Sequence, residues 1–198
     1  MAGSRRVPKR NGKPLIIAIA LVALVAVAAY YLVFPASPRL AVDFQTNISI
    51  QVSSKQANGT TVIRFFVPPS IGVHGAIWQS HYYDAYGAHG NYPIYTMTPT
   101  NPYPGYSIIY VQSVANRNYT LGDFFAVWGE PLGMNNTLGM VSPPPPSSST
   151  TFGPDWFWEM CVGTTRSNLH LGLWGSETLL PGENIILLYS DAGCAGPG

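Results

Sequence analysis

Between Leu15 and Phe34 the sequence reads LIIAIALVALVAVAAYYLVF, twenty residues without a charged side chain. A helix rising 1.5 Å per residue needs about twenty residues to cross the roughly 30 Å hydrocarbon layer of a bilayer. Pro14 stands at the first helical position, where its missing N–H costs nothing. Tyr30 and Tyr31 fall where amphipathic rings settle at the interface, and Pro35 and Pro38 close the run. Arg5, Arg6, Lys9, Arg10 and Lys13 are half of the basic residues, and no acidic residue precedes Asp43. Positive flanks stay in the cytoplasm. The expectation is a basic cytoplasmic tail over 1–14, a transmembrane helix over 15–34 anchored in membrane lipid, and an extracytoplasmic domain over 35–198. The alternative of a cleaved signal peptide fits less well, because signal cores run about 7–15 apolar residues. Pilin-type processing needs a small residue directly before the apolar run, and Lys13 and Pro14 intervene after Gly12.

Beyond Pro35 there are five basic residues against nine acidic, a formal charge of −4. A nucleic-acid partner is excluded on this ground, since it requires clustered Lys and Arg. About 160 residues suffice to bury a core without metal or several disulfides. Four N-x-S/T triplets begin at Asn47, Asn58, Asn118 and Asn135, all beyond the anchor, in agreement with the orientation argued from charge.

Turn chemistry divides the outer domain. Val42–Val52 and Thr60–Val67 predict two strands around an Asn58-Gly59 turn. Tyr92–Thr98 and Tyr106–Val114 predict another pair. Thr120–Trp128 is the one helical segment, with Thr120 as N-cap, Asp123 completing a capping box and Gly129 as stop. Ser142–Thr151 is a Pro/Ser-rich loop. Strands follow over Trp156–Val162, Asn168–Trp174 and Asn184–Ser190, the last after a Pro181-Gly182 turn. The expected class is mainly β (α+β), with a β-grasp-like order in its second half; a β-sandwich is the alternative.

The stretch from Ile71 to Gly129 resembles a group of small archaeal proteins carried on a single membrane anchor. The residues concerned are Ile71-Gly72-Val73, Trp78, His81, Asp84, Tyr86-Gly87, Gly90, Pro93 and, most specifically, the T-L-G-D-F-F-x-x-W-G segment ending at Gly129. The closing LLPGENIILLYS is similar to that group's final turn and strand. The resemblance implies a metal site built from His-x-His-Asp and Ile-His-Val-Glu. Here the matching positions are Tyr95, Thr96, Met97 and Thr98, then Tyr110, Val111 and Gln112. The imidazoles and carboxylates are replaced, so the metal function does not carry over.

Cys161 and Cys194 are the only cysteines, and outside the membrane an even pair reads as a disulfide. A copper–thiolate site would need His and Met close after a ligand cysteine, a spacing missing here. His74, His81 and His89 fall within sixteen residues and are the candidate ligands for zinc or copper, against the plainer reading of loop histidines bonded to carbonyls. Trp156 and Trp158 are candidate binding aromatics, although alternation would bury both and leave Phe157 outside. No G-x-S-x-G, phosphate loop or carboxylate pair supports an enzyme. The expected function is a non-catalytic binding or accessory module, without cofactor, that serves a protein partner in the membrane or a cell-envelope complex. Metal handling is the first alternative and a pilin-like or surface-layer subunit the second.

Overall fold

The computed structural model describes residues 13–33, 39–56, 58–98, 105–142, 156–191 and 193–194. The chain divides into two units, Met1–Ser37 and Pro38–Gly198. The first contains α1, Lys13–Val33, a 21-residue helix. Side chains of α1 are described over 20–30 and are exposed throughout. Among the described residues no helix is long and apolar enough to cross a membrane.

The second unit is built on β1, Val42–Lys55. Alternation sends Thr46, Ile48 and Ile50 to the core, while Asp43, Gln45 and Asn47 face the other way. At 14 residues β1 is long enough for one of its edges to serve two strands. β2, Thr61–Phe66, pairs antiparallel with residues 50–55. β4, Ser107–Ser113, pairs antiparallel with residues 42–48. The other edge of β1 takes β9, Asn184–Ser190, in parallel. Outward from β4 lies β3, Ile94–Thr96. Outward from β9 lie β7, Phe157–Gly163, and β8, His170–Leu171. The result is one mixed seven-stranded sheet in the order β3-β4-β1-β9-β7-β8, with β2 on β1. The mainly β class is therefore present, and the described residues form one such sheet rather than the two facing sheets of a sandwich. A separate small hairpin joins β5, Asn136–Thr137, to β6, Met140–Val141.

α2, Leu121–Trp128, contributes Leu121, Phe124, Phe125, Val127 and Trp128 to the same core as Ile48, Ile109, Leu187 and Trp158. Its start is a capping box: Thr120 Oγ1 accepts from the Asp123 N–H at 3.2 Å, and Asp123 Oδ2 accepts from the Thr120 N–H at 2.9 Å. Gly129, in the left-handed region at φ 82°, ends it. The β1–β2 turn lies where Asn58-Gly59 predicts it, with Asn58 Oδ1 accepting from the Thr60 N–H.

Two expected strands shorten. Of Tyr92–Thr98 only Ile94–Thr96 is extended and paired. Of Asn168–Trp174 only His170–Leu171 pairs, and a 3-10 turn occupies Trp174–Ser176. The cause is local: the Glu177 carboxylate accepts from the Leu173 N–H at 2.6 Å, and Trp174 takes φ 56°, which no strand tolerates. Cys161 and Cys194 form a disulfide with a Cα–Cα distance of 5.5 Å. The Pro/Ser-rich loop lies outside the described residues except for Ser142.

Candidate functional site

Tyrosine packing organises the loop between β2 and β3. Tyr83 is buried at its centre, edge-on to Tyr82 and Tyr119, and the Arg117 guanidinium lies 3.9 Å over its ring. Arg117 also donates to Tyr83 Oη at 2.9 Å. Burial first, then the charge of Asp123, raises the Tyr83 phenol above its ordinary pKa, against the opposing pull of Arg117. At the rim, Asp84 accepts from Trp78 Nε1 at 3.0 Å and lies 2.8 Å from His81 Nδ1, with the Trp78 and His81 rings stacked.

His81 is thus committed to Asp84, while His74 and His89 are separately exposed, His89 in a left-handed turn. Among the described residues the only three His, Cys, Asp or Glu ligand atoms within 4.8 Å of one another belong to Glu159, Cys161 and Cys194, and its two sulfurs are bonded to each other. The structure does not gather the three histidines.

Of the positions compared above with metal ligands, Tyr95, Tyr110 and Gln112 meet in space. Tyr95 pairs with Tyr110 across β3 and β4, their rings stacked at 5.1 Å. Tyr95 Oη donates to Gln112 Oε1 at 2.7 Å, and Gln112 Nε2 donates to Asp43 Oδ1 at 3.0 Å. Burial raises the Tyr95 phenol above its ordinary pKa, so it stays a neutral donor. This is a chain of hydroxyl, amide and carboxylate that satisfies itself. Met97 is exposed beyond the end of β3.

Trp156 and Trp158 are 1% and 2% exposed, so neither presents a face to a ligand; Phe157 between them points outward. Of the triplets, Asn58, Asn118 and Asn135 are exposed. Asn47 is held inside the sheet, its amide donating to Asn184 Oδ1 at 3.0 Å.

β2 lies where the sequence predicts a strand, but the exposure of its apolar side chains was not expected. Ile63, Phe65 and Phe66, which lie on both faces of the strand, and Val67 just beyond it are 37–49% exposed. Phe65 touches Gly105 and Phe66 stacks near Trp128, so the strand is held in place rather than frayed. Among the described residues β2 has β1 on one side and no strand on the other. The signal was available: in TTVIRFFV apolar residues occupy odd and even positions alike, whereas an edge strand with one solvated face should alternate. Neither family models nor curated proteins nor solved structures provide a match to this chain.

Proposed function

We propose that this chain is a membrane-anchored extracytoplasmic binding module, an accessory subunit of a membrane or cell-envelope complex. The uncharged run over 15–34 and its basic flank support a single crossing with the N-terminus inside. The Cys161–Cys194 disulfide supports an oxidising compartment for the outer domain. Its topology supports the β-grasp-like reading: the first and last strands lie parallel at the centre, a hairpin partner flanks β1, and α2 buries its apolar residues in the core shared with the sheet.

The observation that carries the binding function is the apolar edge at β2. A surface with so few charges, with three large apolar side chains exposed on β2 and Val67 exposed just after it, supports an interaction site there. A photo-crosslinking phenylalanine analogue at position 65, in the full chain within native membranes, should yield one adduct of discrete mass. The same analogue at the exposed Thr164, remote from β2 in the sheet order, should yield none. Absence of the adduct at position 65, or equal smears from both positions, would refute the proposal.

A further inference from the structure

The outward edge of β2 has a readable chemistry. The Gln56 N–H bonds to the Thr60 carbonyl at 2.8 Å, and in this ladder Val62, Arg64 and Phe66 stand opposite Ser54, Val52 and Ile50. Antiparallel pairing alternates, so the even residues of β2 turn their N–H and C=O groups toward β1. The odd residues, Thr61, Ile63 and Phe65, turn theirs outward, where no described strand meets them. A strand added antiparallel at this edge would hydrogen-bond to Ile63 and Phe65. The residue opposite Arg64 would then fall at a non-hydrogen-bonded position, with Cα atoms about 4.5 Å apart and side chains closest.

Arg64 decides what that strand is. It is exposed in the middle of an apolar run, and the only acid–base pair within 4.0 Å among the described residues is His81 with Asp84. A second copy of β2 is a poor occupant. The antiparallel register that matches Ile63 with Phe65 and Val62 with Phe66 sets Arg64 against Arg64, and like charges directly opposite are destabilising. Sliding by two residues either way sets each arginine against Val62 or Phe66 instead.

We propose that β2 receives a strand from a partner protein, in which an acidic residue opposite Arg64 is flanked on each side by two apolar residues. Main-chain bonds to Ile63 and Phe65 supply affinity, and the carboxylate against Arg64 supplies selectivity. This rests on the binding-module reading and names its ligand class.

The test uses the full chain in detergent and a fluorescent peptide, acetyl-Ser-Val-Val-Glu-Val-Val-Ser-amide, followed by polarisation. The glutamate peptide should bind on the order of fivefold tighter than its central-lysine counterpart. Arg64→Glu should reverse that order. N-methylation of the peptide at alternate residues should abolish binding, as should Ile63→Pro, which removes an outward N–H without breaking the ladder to β1. Equal binding of the two peptides, a preference unchanged by Arg64→Glu, or binding that survives N-methylation would each overturn the inference. Should position 65 still crosslink while the charge preference is absent, the added acidic strand is wrong and the binding module stands. Loss of both removes both.

Discussion

Glu183 is the residue whose environment most clearly opposes its charge. It is 7% exposed, and its Oε2 has no hydrogen-bond partner among the described residues. Burial raises its pKa, the neighbouring Glu177 charge raises it further, and His170 offsets part of this. A folded-state pKa above the unfolded value means that the fold favours the protonated acid. Its contribution to stability is fully present below the ordinary carboxylate range and is lost as pH rises through the raised value. Glu183→Gln should therefore raise stability at pH 7 by on the order of 1 kcal/mol, about 2–4 °C in Tm, and change nothing in strong acid. Calorimetry at the two pH values checks this, and a lower Tm at pH 7 would count against it. Glycosylation is also decided residue by residue. Asn58, at the tip of an exposed hairpin, should carry glycan, whereas Asn47 should be bare in glycopeptide mass spectra because its amide is bonded between strands. The triplet alone cannot distinguish these two asparagines, since strand position is not written in three residues. Alternation did distinguish Trp156 and Trp158 from Phe157, because burial on a strand follows a period of two.

At the scale of elements, α2 was legible to the residue at both ends, because capping chemistry is local: Thr120, Asp123 and Gly129 bond within one turn of the helix. Gly122 inside it was not legible. Glycine in a helix costs roughly 1 kcal/mol relative to alanine, so helix propensity argues for replacement. Yet a Cβ at Gly122 would lie 2.6 Å from the Gly175 carbonyl oxygen, in the turn after β8. Gly122→Ala should thus destabilise by about 1–3 kcal/mol, the cost of overpacking, with Thr120→Ala costing about 1 kcal/mol through the lost cap. Urea unfolding of the two variants separates them. A stabilised Gly122→Ala would mean that the helix and that turn do not close on each other as described. The same contact accounts for the Gly in the T-L-G-D-F-F segment as a packing requirement. The truncated strand after Asn168 was missed for a related reason: the Glu177 carboxylate that turns the chain at Leu173 acts from four residues away.

At the scale of the molecule, the disulfide closes the β7-to-terminus segment across a sequence separation of 33 residues. Cys161→Ser and Cys194→Ser should each lower unfolding free energy by about 3–4 kcal/mol, with the double variant no worse than either single one. Denaturation with and without reductant measures this, and unequal single losses would point to packing of one sulfur rather than to closure of the loop. The sequence by itself determined the uncharged run with its basic flank, the acidic balance of the residues beyond it, the cysteine pair, the capped helix and most strands. Each of these follows from composition or from groups near one another along the chain. Only the tertiary structure decided that β1 shares one edge between β2 and β4, that it runs parallel to β9, and that the three histidines stay apart. Strand partners and side-chain convergence are set by packing between segments more than a hundred residues distant, as Thr46 and Glu183 are, and no local period encodes them. The open edge of β2 belongs to the same class, because an edge exists only once the rest of the sheet has been assembled beside it.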